Sequence, residues 1–71
     1  MTPLYQVVID DIKAQIARGL LKPGDKIGST QELCAKYEVS RTVIAHALTI
    51  LKAEGVVEGA QGRGVFITQQ S

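Results

Sequence analysis

The chain has 71 residues, 45% of them hydrophobic and 21% charged, which suits one small globular domain and excludes a disordered chain. Eight Lys and Arg against seven Asp and Glu leave a net charge of +1, so an anionic partner has to be met by a few well-placed cations rather than by bulk charge. A single cysteine, Cys34, excludes an internal disulfide and a multi-cysteine zinc site, and no apolar run approaches the ~18 residues of a transmembrane helix.

The N-terminus lacks a signal-peptide pattern, which points to the cytoplasm. Catalytic constellations are missing. His46 is the only histidine, and the neighbouring Asp10 and Asp11 diverge by ~100° on a helix. The expectation is a non-enzyme without cofactor or metal. Cys34, next to Leu33, reads as a small core residue rather than a reactive thiol.

Residues 3 to 18 form the first predicted helix, with Pro3 at the first helical position and Gly19 ending it. Leu4, Tyr5, Val8, Ile9, Ile12 and Ile16 fall on one face at helical spacing, while Gln6, Asp10, Lys13 and Arg18 face away. Val7 and Ala14 lie on the outer side, as scattered apolar residues or a contact stripe. Pro23-Gly24 suits the middle of a tight turn, and Lys26-Ile27 suits a very short strand. Ser29 and Glu32 have capping-box spacing for a second helix over 30 to 37, which buries Leu33, Cys34 and Tyr37.

Only Glu38 and Val39 separate that helix from the next cap, Ser40, so the two helices have to cross steeply, as in a helix-turn-helix. The third helix runs from Arg41 to about Glu54 and is closed by Gly55, with Val39 packing on Ile44 as a hydrophobic staple. After Gly55 the period changes to two. Val56 to Glu58 and Val65 to Thr68 read as strands joined by the loop Gly59 to Gly64. Those glycines precede a strand rather than a helix and so do not make a phosphate loop. The fold class expected is α+β: three helices with a small antiparallel β-hairpin, in one domain over residues 1–71.

The third helix separates two faces. Ile44, Ala47, Leu48 and Leu51 form the apolar stripe, flanked by Val43 and Ile50. Opposite them lie Arg41, Thr42, Ala45, Thr49 and Lys52, with His46 at the edge. This face has short side chains in the middle and cations at its ends, a shape that a major groove accepts. Arg41 and Thr42 would then meet base edges, while Ser40 and the first free amides meet a phosphate; the plainer reading is that Ser40 only caps and Thr42 and Lys52 are solvated. A glycine-rich tip bearing Gln61 and Arg63 is slim enough for a minor groove, where arginine is favoured, although Arg63 also reads as a solvated turn residue.

The stretch Pro3 to Ile27, then Ser29 with Glu32-Leu33, then Tyr37 to Glu58, then Gln61 to Ile67, resembles the winged-helix DNA-binding domain of GntR-family bacterial transcription regulators. The resemblance covers residues 3 to 68 and rests on the combination of motifs. It implies that the helix 41–54 enters the major groove and the wing 59–64 the neighbouring minor groove, with Arg41, Thr42, Gln61, Gly62 and Arg63 at matching positions. Four departures stand out. The family's usual arginines are Gln31 and Ala45 here, the latter beside His46. The usual glycine of the turn is Glu38, and the wing start, often basic, is Gly59-Ala60.

The expected function is a sequence-specific regulator of transcription, a repressor, bound to the nucleoid as two copies on an inverted-repeat operator of double-stranded DNA. Gln31, Arg41, Thr42 and His46 would read bases, and Lys36, Ser40 and Lys52 the backbone. The family usually dimerises and binds small molecules through a C-terminal domain absent from these residues, so the resemblance implies either a piece of a longer regulator or a miniature regulator that pairs through its own surface. The competing reading is a winged-helix module that contacts protein instead of DNA, favoured by Ala45 and the near-neutral charge.

Overall fold

Helix α1 spans Leu4–Ala17 in the computed structural model, which describes residues 2–60 and 64–69. Pro3 is not its first residue. With φ −60° and ψ 151° it stands half outside as the N-cap, and its carbonyl accepts from the amides of Gln6 and Val7 at 3.0 and 3.2 Å. Val8, Ile9 and Ile12 are buried, and Tyr5 and Ile16 are packed against them. Leu4, assigned to that face by its spacing, is instead 59% exposed, because as the first residue of the helix it lies in an open surface depression beside Thr42 and His46 rather than over the core. Gly19 closes the helix as expected, at φ +79°, where Leu20 and Gly19 donate to the carbonyls of Gln15 and Ile16.

The chain then turns at Lys22–Asp25, with Gly24 at φ +87° behind Pro23 and the Asp25 amide returning to the Lys22 carbonyl at 2.9 Å. Strand β1 (Lys26–Gly28) leads directly into α2 (Thr30–Tyr37). The capping box is complete: the Glu32 amide donates to Ser29 Oγ at 3.2 Å, and the Ser29 amide to Glu32 Oε1 at 3.0 Å. Leu33 is buried, and Cys34 and Tyr37 are half-buried against the core.

Glu38 takes the left-handed conformation, φ 55° and ψ 48°, and so holds the turn that glycine would hold without a side-chain clash. Val39 packs on the core, Ser40 caps α3 (Arg41–Ala53), and Gly55 at φ +75° ends it with the same bond pattern as α1. Ile44, Ala47, Leu48 and Leu51 are all buried, as the apolar stripe requires.

Strands β2 (Val57–Ala60) and β3 (Gly64–Ile67) form the antiparallel hairpin. The ladder runs further than the sequence pattern indicated: Gly59 pairs with Val65 and Ala60 with Gly64, so Gly59, Ala60 and Gly64 are strand rather than loop. The sheet has three strands, in the order β1-β3-β2, with Lys26 opposite Phe66 and a bulge before Gly28. Val57, Val65 and Ile67 point inward and close the core against the helices. This is a winged helix-turn-helix.

Candidate nucleic-acid interface

Ser40 accounts for the geometry at the start of α3. Its Oγ accepts from the Val43 amide at 3.4 Å, and its carbonyl accepts from Ile44 at 3.2 Å. The amides of Arg41 and Thr42 therefore remain without a partner among the described residues, at the positive end of the helix dipole. Both side chains are exposed. Lys13–Glu54, at 2.8 Å, is the one ion pair among the described residues, so the Arg41 guanidinium is not consumed internally.

Down the same face, Ala45, Thr49 and Lys52 are exposed in line with Arg41 and Thr42. The Thr49 hydroxyl donates to the Ala45 carbonyl at 2.8 Å, which commits its proton within the helix and leaves only its acceptor lone pairs facing outward. His46 stands at the edge of that face, exposed, with its ring in a T-shaped contact 4.3 Å from Tyr5 of α1. That contact fixes the imidazole and narrows where it can reach. Sequence spacing missed it, because the two rings sit on different helices and no local pattern links them.

Gln31 and Lys36 lie on α2, both exposed. The Lys36 ammonium is 5.4 Å from the centre of the Tyr37 ring, so its stem folds along α2. Tyr37 itself donates to Asp11 Oδ2, which also accepts from Gln15 Nε2 at 2.7 Å. This ties α2 to α1 and holds the helix-turn-helix in place. Burial, then the bond to Asp11 and the charge of its carboxylate, raise the Tyr37 phenol well above the usual tyrosine range. The Ser29 backbone and side-chain hydrogen bonds, then the charge of Lys26, hold the Glu32 carboxyl below the usual carboxylate range.

The hairpin stands beside α3. A Cβ at Gly59 would lie 3.1 Å from Lys52 Nζ, which means that the Lys52 side chain crosses from α3 onto the wing. Gln61, Gly62 and Arg63 lie outside the described residues; the strands on either side of them are paired up to Ala60 and Gly64. Arg41, Thr42, Ala45, Thr49 and Lys52 thus form one surface continuous with the wing, flanked by His46. Among the described residues no group of His, Cys, Asp or Glu could hold a metal ion, and no helix is long and apolar enough to cross a membrane.

Known proteins share this fold. The family model for bacterial regulatory proteins of the gntR family matches residues 4–67. The mannosyl-D-glycerate transport/metabolism system repressor MngR of Escherichia coli is 38% identical over 68 residues, covering 96% of this chain and 28% of the repressor. The repressor YtrA of Bacillus subtilis is 33% identical over 70 residues, covering 99% of this chain and 54% of its own length. This chain therefore spans only part of these relatives. Among solved structures, AraR(DBD) in complex with operator ORR3 superposes with a TM-score of 0.90 at 34% identity, covering 96% of this chain and 82% of that one. The chain belongs to the gntR family of bacterial regulatory proteins.

Proposed function

We propose that these residues are the DNA-binding domain of a cytoplasmic, nucleoid-associated transcription regulator that represses by occupying an operator. The observation that carries this reading is the exposed face of α3, led by an Arg41 that makes no ion pair with a described residue and continuous with the wing through Lys52. Its support from relatives is that MngR and YtrA are named repressors and that the AraR domain was solved on operator DNA.

In this reading α3 lies in the major groove. Arg41 and Thr42 meet base edges, with Gln31 from α2 able to read adenine and His46 at the rim. Ala45 lets the helix backbone approach. Ser40, Lys36 and Lys52 meet phosphates, while Gln61, Gly62 and Arg63 enter the adjacent minor groove. Since the whole chain carries only eight Lys and Arg, one copy binds weakly and two copies act together on an inverted repeat. Any small-molecule effector would bind a C-terminal domain outside these residues.

Selection of bound duplexes from random DNA, followed by a gel shift with Arg41→Ala, tests the reading. The expected outcome is an enriched inverted repeat and a roughly 5- to 150-fold loss of affinity for the variant, from a contact worth ~1–3 kcal/mol. If the wild-type chain enriches no sequence, the reading fails, and the protein-contact alternative takes its place.

A further inference from the structure

Two lysines meet the wing from opposite faces of its sheet, and both rest on a glycine. Along β2 the side chain of Val57 points inward, so position 59, two residues on, faces the same way, toward α3. That is where Lys52 arrives, with Nζ 3.1 Å and Cε 3.4 Å from where a Cβ of residue 59 would stand. Along β3, Val65 and Ile67 point inward, so Gly64 and Phe66 face outward. Lys26 of β1 is opposite Phe66, yet its Cε lies 2.9 Å from where a Cβ of residue 64 would stand. Its stem therefore runs two residues along β3 toward the hairpin tip, away from Glu58, which pairs with Phe66 on the far side. Neither lysine is in an ion pair with a described residue.

A hairpin that enters a minor groove has a phosphate strand on each side, and the groove is only ~6 Å wide. We propose that Lys26 and Lys52 are a two-sided phosphate clamp, each ammonium meeting the backbone of a different strand where the wing enters the groove. The proposal rests on the minor-groove reading of the wing given above. It gives the glycines at 59 and 64 a further role. A side chain at Gly59 would displace the Lys52 ammonium, and one at Gly64 would meet both Lys26 and the Gly28 carbonyl oxygen at 3.0 Å. It also adds positive charge at the base of the wing, beside the uncharged Gly59-Ala60.

Ethylation interference on a duplex selected by the wild-type chain tests this directly. Lys26→Gln and Lys52→Gln should each abolish interference at one phosphate, the two lying on opposite strands across one minor groove. Each should also lower the slope of log affinity against log salt by about 0.9, the value for one neutralised phosphate. Lys26→Arg should keep both the interference and the slope. An unchanged pattern and slope for Lys26→Gln, or loss at two phosphates of one strand, overturns the clamp. Arg63→Ala separates the two claims. If it changes flanking-base preference while Lys26→Gln changes nothing, only the clamp fails; if it leaves that preference intact, the minor-groove reading fails with it.

Discussion

Glu38 holds a backbone position that an L side chain occupies at a cost of about 1–2 kcal/mol. Glu38→Gly should therefore stabilise the domain by up to about 1 kcal/mol once the entropy that glycine adds to the unfolded chain is subtracted, and a full 1 kcal/mol in a domain this size raises Tm by ~4–8 °C. A thermal melt followed by circular dichroism checks it; an unchanged or lower Tm counts against strain at this turn. Tyr37 makes a second residue-scale case. Its phenol titrates higher in the folded chain than in the unfolded one, so the folded state holds the proton more tightly. That stability is complete below the ordinary tyrosine range near pH 10 and is lost progressively as pH rises from there through the higher value of the folded chain. Urea denaturation at pH 8 and pH 11 should show the wild type losing more stability between the two than Tyr37→Phe. At pH 8 the variant itself should be weaker by about 1 kcal/mol, from the missing hydrogen bond to Asp11.

At the scale of the element, the sequence announced its helices because their signals are local. Ser29 with Glu32, Ser40 before an apolar stripe, and Gly19 and Gly55 each act within a turn or two of chain, and all took the expected places. The third strand and the extent of the hairpin ladder were only partly legible, since β1 is three residues long and is defined by a partner about forty residues away. The glycines at 59 and 64 looked like loop for the same reason: local composition says flexible, whereas pairing with Val65 and Ala60 makes them strand. The exposed face of α3 was legible residue by residue; the contacts that steer it, Tyr5 against His46 and Lys52 over Gly59, were not, because they join distant elements. Ser40 separates the two roles of a cap. Ser40→Ala should cost about 1 kcal/mol of stability through the lost bond to Val43. Ser40→Asp should keep the cap and stability yet weaken operator binding at least tenfold, since a carboxylate would face the phosphate; equal binding by Ser40→Asp would remove Ser40 from the backbone contacts.

At the scale of the molecule, eleven buried apolar side chains among the described residues, drawn from all three helices and the hairpin, make one core. A domain of 71 residues has only a few kcal/mol of net stability, and a core truncation such as Leu51→Ala, worth ~2–5 kcal/mol, should unfold most of it at 37 °C. Loss of the cooperative melt in that variant is the check. The strand order has a consequence of another kind. Because β1 is stitched to β3 and Gly28 abuts the Ser29 cap of α2, the wing and the first helix of the helix-turn-helix share a common root. Grafting a relative's hairpin alone onto this scaffold would leave that root mismatched, whereas exchanging residues 26–28 together with 57–67 would move it as one part.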